Sequence, residues 1–479
     1  MPQPTAQIAR HTLTYGFGFV VGGLARLALI PVIARTLSPE EYGVYALLLA
    51  AIALLHIVFD LGFVDVLIRF HHENAEPTEQ RRLRSILFVL LPIFDITIAM
   101  PLLLGRHWLS AFLFGTPDHG DLVFLAVAIA LFATQFQLFV GHLRSEDRSG
   151  DFVIVMALRG LIVLATTLFL VLVLDMGVTG FLLGQLVAPT VITLVAIPRL
   201  LGRVGLDLSQ LRARLTPLLR YGAPLVPTAL GMWALSYLDA YLLRAFASLE
   251  AVGVYRFAAE VCLPLSLLLT SFQLAWPSFA FAQARSPEGA EQLATVFRHM
   301  FALLVWASLA LAALRHEIFE VIGAETYLAS VQIIPLWVLA TCLYGASLVF
   351  STGLRVAQKT HKLPLYVLAA IALNAVLAVL VIPSTGVLGC AAVKVVTLLI
   401  LAALILRESN RHFAIPFELG KIAAMVAAGA VVLAITDSYG EMSLLAGIVL
   451  RGGTVLLFPG LLMLMQVISL HELRSPKLV

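Results

Sequence analysis

Polar residues are spread so thinly along this chain that it reads as long apolar stretches separated by short charged breaks. Fourteen stretches are candidates for bilayer-crossing helices, near 13–34, 43–68, 85–104, 121–141, 152–173, 180–200, 221–245, 253–278, 298–314, 331–354, 363–382, 386–406, 420–436 and 443–468. Each approaches or exceeds the roughly 20 apolar residues that a spanning helix takes. The pattern therefore predicts an all-α polytopic membrane protein with about 14 transmembrane helices.

A second pattern is laid over the first. Ser38-Pro39-Glu40-Glu41-Tyr42-Gly43-Val44-Tyr45 returns as Ser248-Leu249-Glu250-Ala251-Val252-Gly253-Val254-Tyr255, with five of eight positions identical. Tyr15-Gly16 and Tyr221-Gly222 open the apolar stretch before each copy. Six expected helices separate the copies, an even number, so both halves have the same orientation in the membrane. The expectation is two parallel six-helix repeats related by an axis along the membrane normal, a plan found among transporters. The divisions are residues 1–200, 201–406 and 407–479, the last holding two extra C-terminal helices and a tail.

Composition agrees with a lipid solvent: 61% of residues are apolar and 12% charged, against about 45–50% and about 25% in soluble chains. The net charge of +3 is too small to suggest nucleic acid. The placement of the charge says more. With a cytoplasmic N-terminus, Arg81, Arg82, Arg84, Arg203, Arg212, Arg214, Arg220, Arg355, Lys359 and Lys362 all fall on the cytoplasmic side. Only Arg35, Arg106 and Arg315 fall in loops opposite, as the positive-inside rule requires. Both termini are then cytoplasmic, and the first apolar stretch is a retained helix rather than a signal peptide. Cys262, Cys342 and Cys390 lie far apart, each in an expected helix, and read as small buried core residues.

Prolines fall inside the expected spans: Pro31, Pro92, Pro101, Pro224, Pro227 and Pro264. Each removes a backbone donor and tends to kink its helix. Proline is also simply commoner in membrane helices.

Charges inside the spans are the candidate functional groups, since a cation at the bilayer centre costs roughly 2.5–3.5 kcal/mol on insertion scales. The cations are Arg26, Arg159, Arg244, Arg256, Lys394 and Arg451; the acids are Asp60, Asp65, Asp95, Asp239 and Glu260. Arg26, Arg256, Arg159 and Lys394 are candidate cavity cations, with Asp60, Asp95, Asp239 and Glu260 as coupling or charge partners. Competing structural readings pair Arg26 with Asp60 or Asp95, Arg256 with Glu260 one turn on, and Asp239 with Arg244 or Arg256. Arg451, outside the repeats, reads as a headgroup or packing residue. A surplus of cations suits an anionic cargo: one Arg about 4 Å from a phosphate is worth roughly 4 kcal/mol at an effective dielectric near 20, before desolvation.

The chain resembles the polysaccharide-transporter (O-antigen flippase) family of the multidrug/oligosaccharidyl-lipid/polysaccharide exporter superfamily. The resemblance rests on Arg26 and Pro31, on Ala34-Arg35-Thr36-Leu37 running into the first copy, and on Asp60-Leu61-Gly62. In the second half it rests on Tyr221-Gly222-Ala223-Pro224-Leu225-Val226-Pro227, Asp239, Val252-Gly253-Val254-Tyr255 and Ala275-Trp276-Pro277. It implies two six-helix bundles around a cationic cavity, moving undecaprenyl-diphosphate-linked oligosaccharide across a bacterial inner membrane by alternating access. It also implies cavity-lining roles for Arg26 and Arg256 and a groove for the lipid tail at the last two helices. Membrane lipids, and polymerase and glycosyltransferase partners of the same pathway, follow from it as expected company.

Two rival readings remain. A multidrug or cation antiporter of the same superfamily would want an acidic or aromatic cavity, whereas these deep charges lean basic. A membrane glycan polymerase or ligase generally needs a sizeable external loop, and none stands between these helices. The expectation is a transporter, not an enzyme, with no cofactor. There is no Gly-rich phosphate loop followed by Lys-Ser or Lys-Thr, and His71-His72-Glu73 falls in an expected solvated loop rather than a metal site.

Overall fold

The computed structural model describes residues 22–73, 76–204, 211–286 and 288–468. The expectations on Tyr15-Gly16 and on the two termini lie outside them, and side chains at 203–214 are not described.

Among the described residues every regular element is helical. The chain divides into two compact units, Met1–Arg244 and Ala245–Val479. The first contains α1 (22–36), α2 (Pro39–Asp60), α3 (Phe63–Glu73), α4 (Pro77–Leu104), α5 (Arg106–Phe114), α6 (Gly120–Ser145), α7 (Ser149–Leu168), α8 (Gly177–Val204), α9 (Leu211–Gly222) and most of α10 (Val226–Phe246). The second contains α11 (Leu249–Val261), α12 (Leu263–Gln283), α13 (Gly289–Ala313), α14 (Arg315–Ile322), α15 (Ile334–Phe350), α16 (Thr352–Val356), α17 (Leu363–Asn410), α18 (Leu419–Ser438) and α19 (Leu444–Leu464).

Eleven stretches of the described residues are long and apolar enough to cross a membrane. The difference from fourteen arises in identifiable places. The stretch 13–34 is described only from residue 22. The expected helices 363–382 and 386–406 follow one another without a loop as α17, whose 48 residues would make a straight rod of about 72 Å, more than twice a bilayer core of about 30 Å. Gly386 divides the run into two arms, adopting φ 58° and ψ −132°, a backbone state open to glycine because it has no Cβ. The stretch 221–245 is interrupted by a 3₁₀ turn at Ala223–Leu225.

Those interruptions revise the proline reading. Pro224 lies in that 3₁₀ turn, Pro227 in the first turn of α10, and Pro264 in the first turn of α12. There a missing N–H is harmless, so these three begin helices instead of bending them. Pro92 and Pro101 do lie within α4, and α1 runs on through Pro31.

The two copies of the repeated octapeptide do the same local work. Ser38 caps α2: its Oγ accepts from the Glu41 amide at 3.3 Å while Glu41 Oε2 accepts from the Ser38 amide at 2.8 Å. Ser248 caps α11, accepting from the Ala251 amide at 3.1 Å; alanine at that position leaves the second cap one-sided. The closing tyrosine of each copy is buried against an aromatic ring of a later helix, Tyr45 on Phe181 at 5.5 Å and Tyr255 on Trp337 at 5.2 Å.

Each unit also inserts a short helix after a long one. α5 and α14 both begin Arg-His and end on a left-handed glycine, Gly115 at φ 77° and Gly323 at φ 76°. Their surroundings diverge. α5 leaves Trp108 and Phe112 exposed, stacked 5.9 Å apart. α14 buries Glu317 against Arg451 of α19. The C-terminal pair α18–α19 is thereby fastened into the second unit, with Arg298 to Glu418, Arg315 to Asp437 at 2.8 Å, and Trp306 donating to the Val455 carbonyl at 2.9 Å.

The three cysteines are free and buried in α15, α17 and the α11–α12 junction.

Candidate functional site

In the first unit, α2, α4, α6 and α7 bring a set of polar side chains together inside otherwise apolar spans. Asp95 of α4 is fully buried and accepts a hydrogen bond from Gln135 Nε2 of α6 at 2.6 Å. Its Oδ1 and the Gln135 Oε1 are buried acceptors with no hydrogen-bond partner among the described residues. One residue back, the Thr134 hydroxyl donates to the Ala130 carbonyl at 2.9 Å and also lies 2.9 Å from His56 Nδ1 of α2. A hydroxyl has one proton to give, so His56 Nδ1 is the donor and its Nε2 is left as an acceptor.

Arg159 of α7 completes this set. Its guanidinium lies over the ring of Phe136, the residue after Gln135, 5.1 Å from the centroid. Its Nε is buried without a hydrogen-bond partner, and no carboxylate of the described residues stands within ion-pair distance of it. A cation–π contact is worth about 0.5–2 kcal/mol, less than the roughly 2.5–3.5 kcal/mol that an arginine costs at a spanning helix's centre. Among the described residues, Arg159 is thus a cation held inside the span with its charge uncompensated.

Asp60 has a local role. The chain breaks between α2 and α3 at Leu61 and Gly62, with φ of 47° and 74°. The Asp60 carboxylate bridges the break, accepting from the Gly62 amide at 3.1 Å and the Val64 amide at 3.2 Å. Gly62 is required there twice over, because a Cβ would also meet the Gly222 carbonyl oxygen at 2.8 Å.

These contacts bear on two of the pairings open at the sequence level, Arg26 with Asp60 or Asp95 and Asp239 with Arg244. Arg26 is exposed on α1 and pairs with neither Asp60 nor Asp95, whose partners are the groups just named. Arg244 makes no ion pair with Asp239 among the described residues; its Nη2 donates to the Phe114 carbonyl at 2.6 Å, over the left-handed Gly115. Asp239 is buried, with Oδ1 accepting from the Ala240 amide at 2.9 Å.

In the second unit the candidate cation is Lys394 of α17, buried with its Nζ 5.1 Å from the centroid of the Trp337 ring on α15. Tyr255 of α11 packs against that same ring, and α11 also carries Arg256, half-buried, and Glu260, buried, in the next turn. Arg256, Lys394 and Trp337 therefore belong to one neighbourhood built by α11, α15 and α17. His71 and His72 end α3 as an edge-to-face ring pair, and no group of three metal-ligating side chains occurs among the described residues.

His56, Gln135 and Trp337 were not among the sequence candidates. A scan for formal charge passes over them, although a histidine or glutamine in mid-span carries the same burial penalty in weaker form. Arg451 takes the packing role: Nη1 meets Glu317, Nη2 donates to the Gly440 carbonyl at 2.7 Å, and Nε donates to the Thr436 carbonyl at 3.3 Å.

Residues 8–280 match a family model described as polysaccharide biosynthesis protein. No curated protein matches. Among solved structures, lipid II flippase MurJ in an inward closed conformation is similar over 95% of this chain and 100% of its own, with TM-score 0.77 and 12% identity. An inward-facing multidrug resistance MATE family transporter of the MOP superfamily gives 85% and 96% coverage, TM-score 0.64 and 16% identity. A point mutant of the Vibrio cholerae MATE transporter VcmN gives 85% and 97%, TM-score 0.59 and 15% identity. The chain belongs to the polysaccharide biosynthesis protein family, and its fold is similar to that of these solved structures.

Proposed function

We propose that this protein is a flippase. It carries undecaprenyl-diphosphate-linked oligosaccharide repeat units across a bacterial inner membrane, by alternating access, for surface polysaccharide synthesis. Arg159 is the observation that carries the reading: a cation in mid-span with an aromatic ring beneath it and no counter-charge among the described residues. Lipid does not solvate such a group, and an anion supplied by cargo would. Arg26, Arg256 and Lys394 serve the same cargo, with Asp60, Asp95, Asp239 and Glu260 as coupling or charge partners. The neighbours with this fold include a lipid II flippase, a protein whose cargo is lipid-borne. Energy comes from an ion gradient, the membrane potential or removal of flipped product, and the protein works beside a polymerase and glycosyltransferases without itself being an enzyme.

The test is gene deletion with complementation. Deletion is expected to cause lipid-linked repeat units to accumulate and surface glycan to disappear. Wild-type protein restores both. Arg159→Met, which fills the space beside Phe136 without charge, and Arg26→Ala are each expected to reduce restoration at least tenfold at equal membrane abundance. Unchanged lipid-linked pools after deletion would remove this reading.

A further inference from the structure

The Ala275-Trp276-Pro277 motif takes no part in either charge cluster, yet it walls a cleft within the second unit. The cleft has a volume of about 120 Å³ and lies between α12, α15 and α16, room for several water-sized groups. Three features of the sequence shape its walls. Gly345 of α15 lets Leu269 of the wall pack close, since a Cβ there would meet Leu269 Cδ2 at 2.8 Å. Trp276 is held flat against the wall by stacking on Phe272 at 5.0 Å and by donating from Nε1 to the Thr352 hydroxyl at 2.8 Å. Pro277 has no amide to offer the Gln273 carbonyl four residues earlier, so the helix relaxes its backbone bonding at the cleft wall.

The polar groups of the cleft are Gln273 and Arg355. Among the described residues neither side chain has a hydrogen-bond partner, and no carboxylate lies within ion-pair distance of Arg355. Arg355 is exposed, while the wall behind it is Leu269, Phe272 and Trp276. An apolar aromatic body with one unengaged guanidinium and one amide at its edge is complementary to an amphiphile: an oily chain joined to a phosphate. Guanidinium is the side chain best shaped to hold phosphate with paired donors. The location agrees, because Arg355 follows α15 and is succeeded by Lys359 at the same end of the helices, which adds a second cation near the approaches to the cleft.

We infer that this cleft binds the phosphate of a membrane-resident lipid, with Arg355 and Gln273 on the phosphate and Phe272 and Trp276 against the first carbons of the chain. The bound lipid is either bulk anionic phospholipid or a prenyl diphosphate of the kind the proposed cargo contains. The site does not depend on the flippase reading, since it is defined by binding alone.

The experiment uses the full-length protein in detergent, with farnesyl diphosphate as the probe and native mass spectrometry plus tryptophan fluorescence as readouts. Wild type is expected to bind it at least tenfold more tightly than Arg355→Ala, and Arg355→Glu to abolish binding. Arg407→Ala, which removes an exposed cation near the end of α17, is expected to bind as wild type does, which separates the cleft from general charge attraction. Farnesol and inorganic diphosphate, each lacking one half of the ligand, should bind far more weakly than the whole. Competition by phosphatidylglycerol at equal concentration identifies the bulk-lipid source, and failure to compete identifies the prenyl diphosphate source. Equal binding by wild type, Arg355→Ala and Arg407→Ala would overturn the assignment. None of these readouts measures flipping, so loss of the flippase reading would leave the site standing, and the reverse.

Discussion

Asp95 is a buried carboxylate with one oxygen on Gln135 and the other bare among the described residues, an arrangement that stability alone would not select. Leaving a buried acceptor unsatisfied costs about 1–3 kcal/mol, more if it is charged. Asp95→Asn keeps the shape and removes the charge. It is therefore expected to raise the melting temperature in detergent or leave it unchanged, while complementation of the deletion strain falls. A stabilised and fully active Asp95→Asn would show that the carboxylate is not used. The Leu61-Gly62 break depends on a single residue in a different way. Gly62→Ala forces a side chain to φ 74° against the Gly222 carbonyl. The strain is about 1–3 kcal/mol for the backbone state alone, with the clash added. Thermal unfolding of purified protein should show a loss of at least that size, whereas the same change at Gly452, where nothing lies within 4 Å, should be nearly silent.

Among the elements, the repeat was legible because a helix start is written in local chemistry. A serine followed three residues later by a residue whose amide it caps stands out from an apolar background. Ser38→Ala is expected to cost about 1 kcal/mol, read as a lowered melting temperature, and Ser248→Ala somewhat less, because Ala251 returns no second bond. Other features were hidden for a physical reason. Apolar periodicity does not report backbone torsion, so Pro264 read as a kink where it opens α12, and the 3₁₀ turn at Ala223–Leu225 read as continuous helix. The candidate site was legible as a set of charges but not as a set of contacts. Arg159 and Asp95 are evident as charges within apolar stretches, whereas the Arg244 bond to Phe114 spans 130 positions. The docking of α18–α19 also belongs to this scale. Burial opposes ionisation of Glu418, but the Lys421 hydrogen bond and the Arg298 charge outweigh it and hold the carboxyl below its ordinary value. A depressed carboxyl adds stability above its unfolded pKa of about 4.3 and loses it as pH falls through the folded value. Lowering the pH from about 6 towards about 3 should therefore loosen α18, followed as faster amide exchange over its first turns. Glu418→Gln should show that loosening already at the higher pH, with little further change in acid.

For the molecule as a whole, the distribution of charge along the helix ends fixes a direction in the membrane. In the second unit the turn after α12, the α15–α17 connection and the α17–α18 connection all lie at one end, carrying Arg285, Arg355, Lys359, Lys362, Arg411 and Lys421. The opposite end, formed by α14 and the α18–α19 turn, carries Arg315 among Glu317, Glu320, Glu325, Asp437 and Glu441. Lysine and arginine near span ends set orientation, and acidic residues contribute little, so the first end is expected in the cytoplasm. The native cysteines are buried and leave a clean background for labelling. In intact cells a membrane-impermeant maleimide should label Glu320→Cys and not Lys359→Cys, with both labelling once the membrane is opened. The reversed result would place the basic end, and with it the Arg355 cleft, outside. Labelling of both in intact cells would mean that the second unit is not fixed across the bilayer in a single orientation, and the positive-inside reading of this chain would be lost.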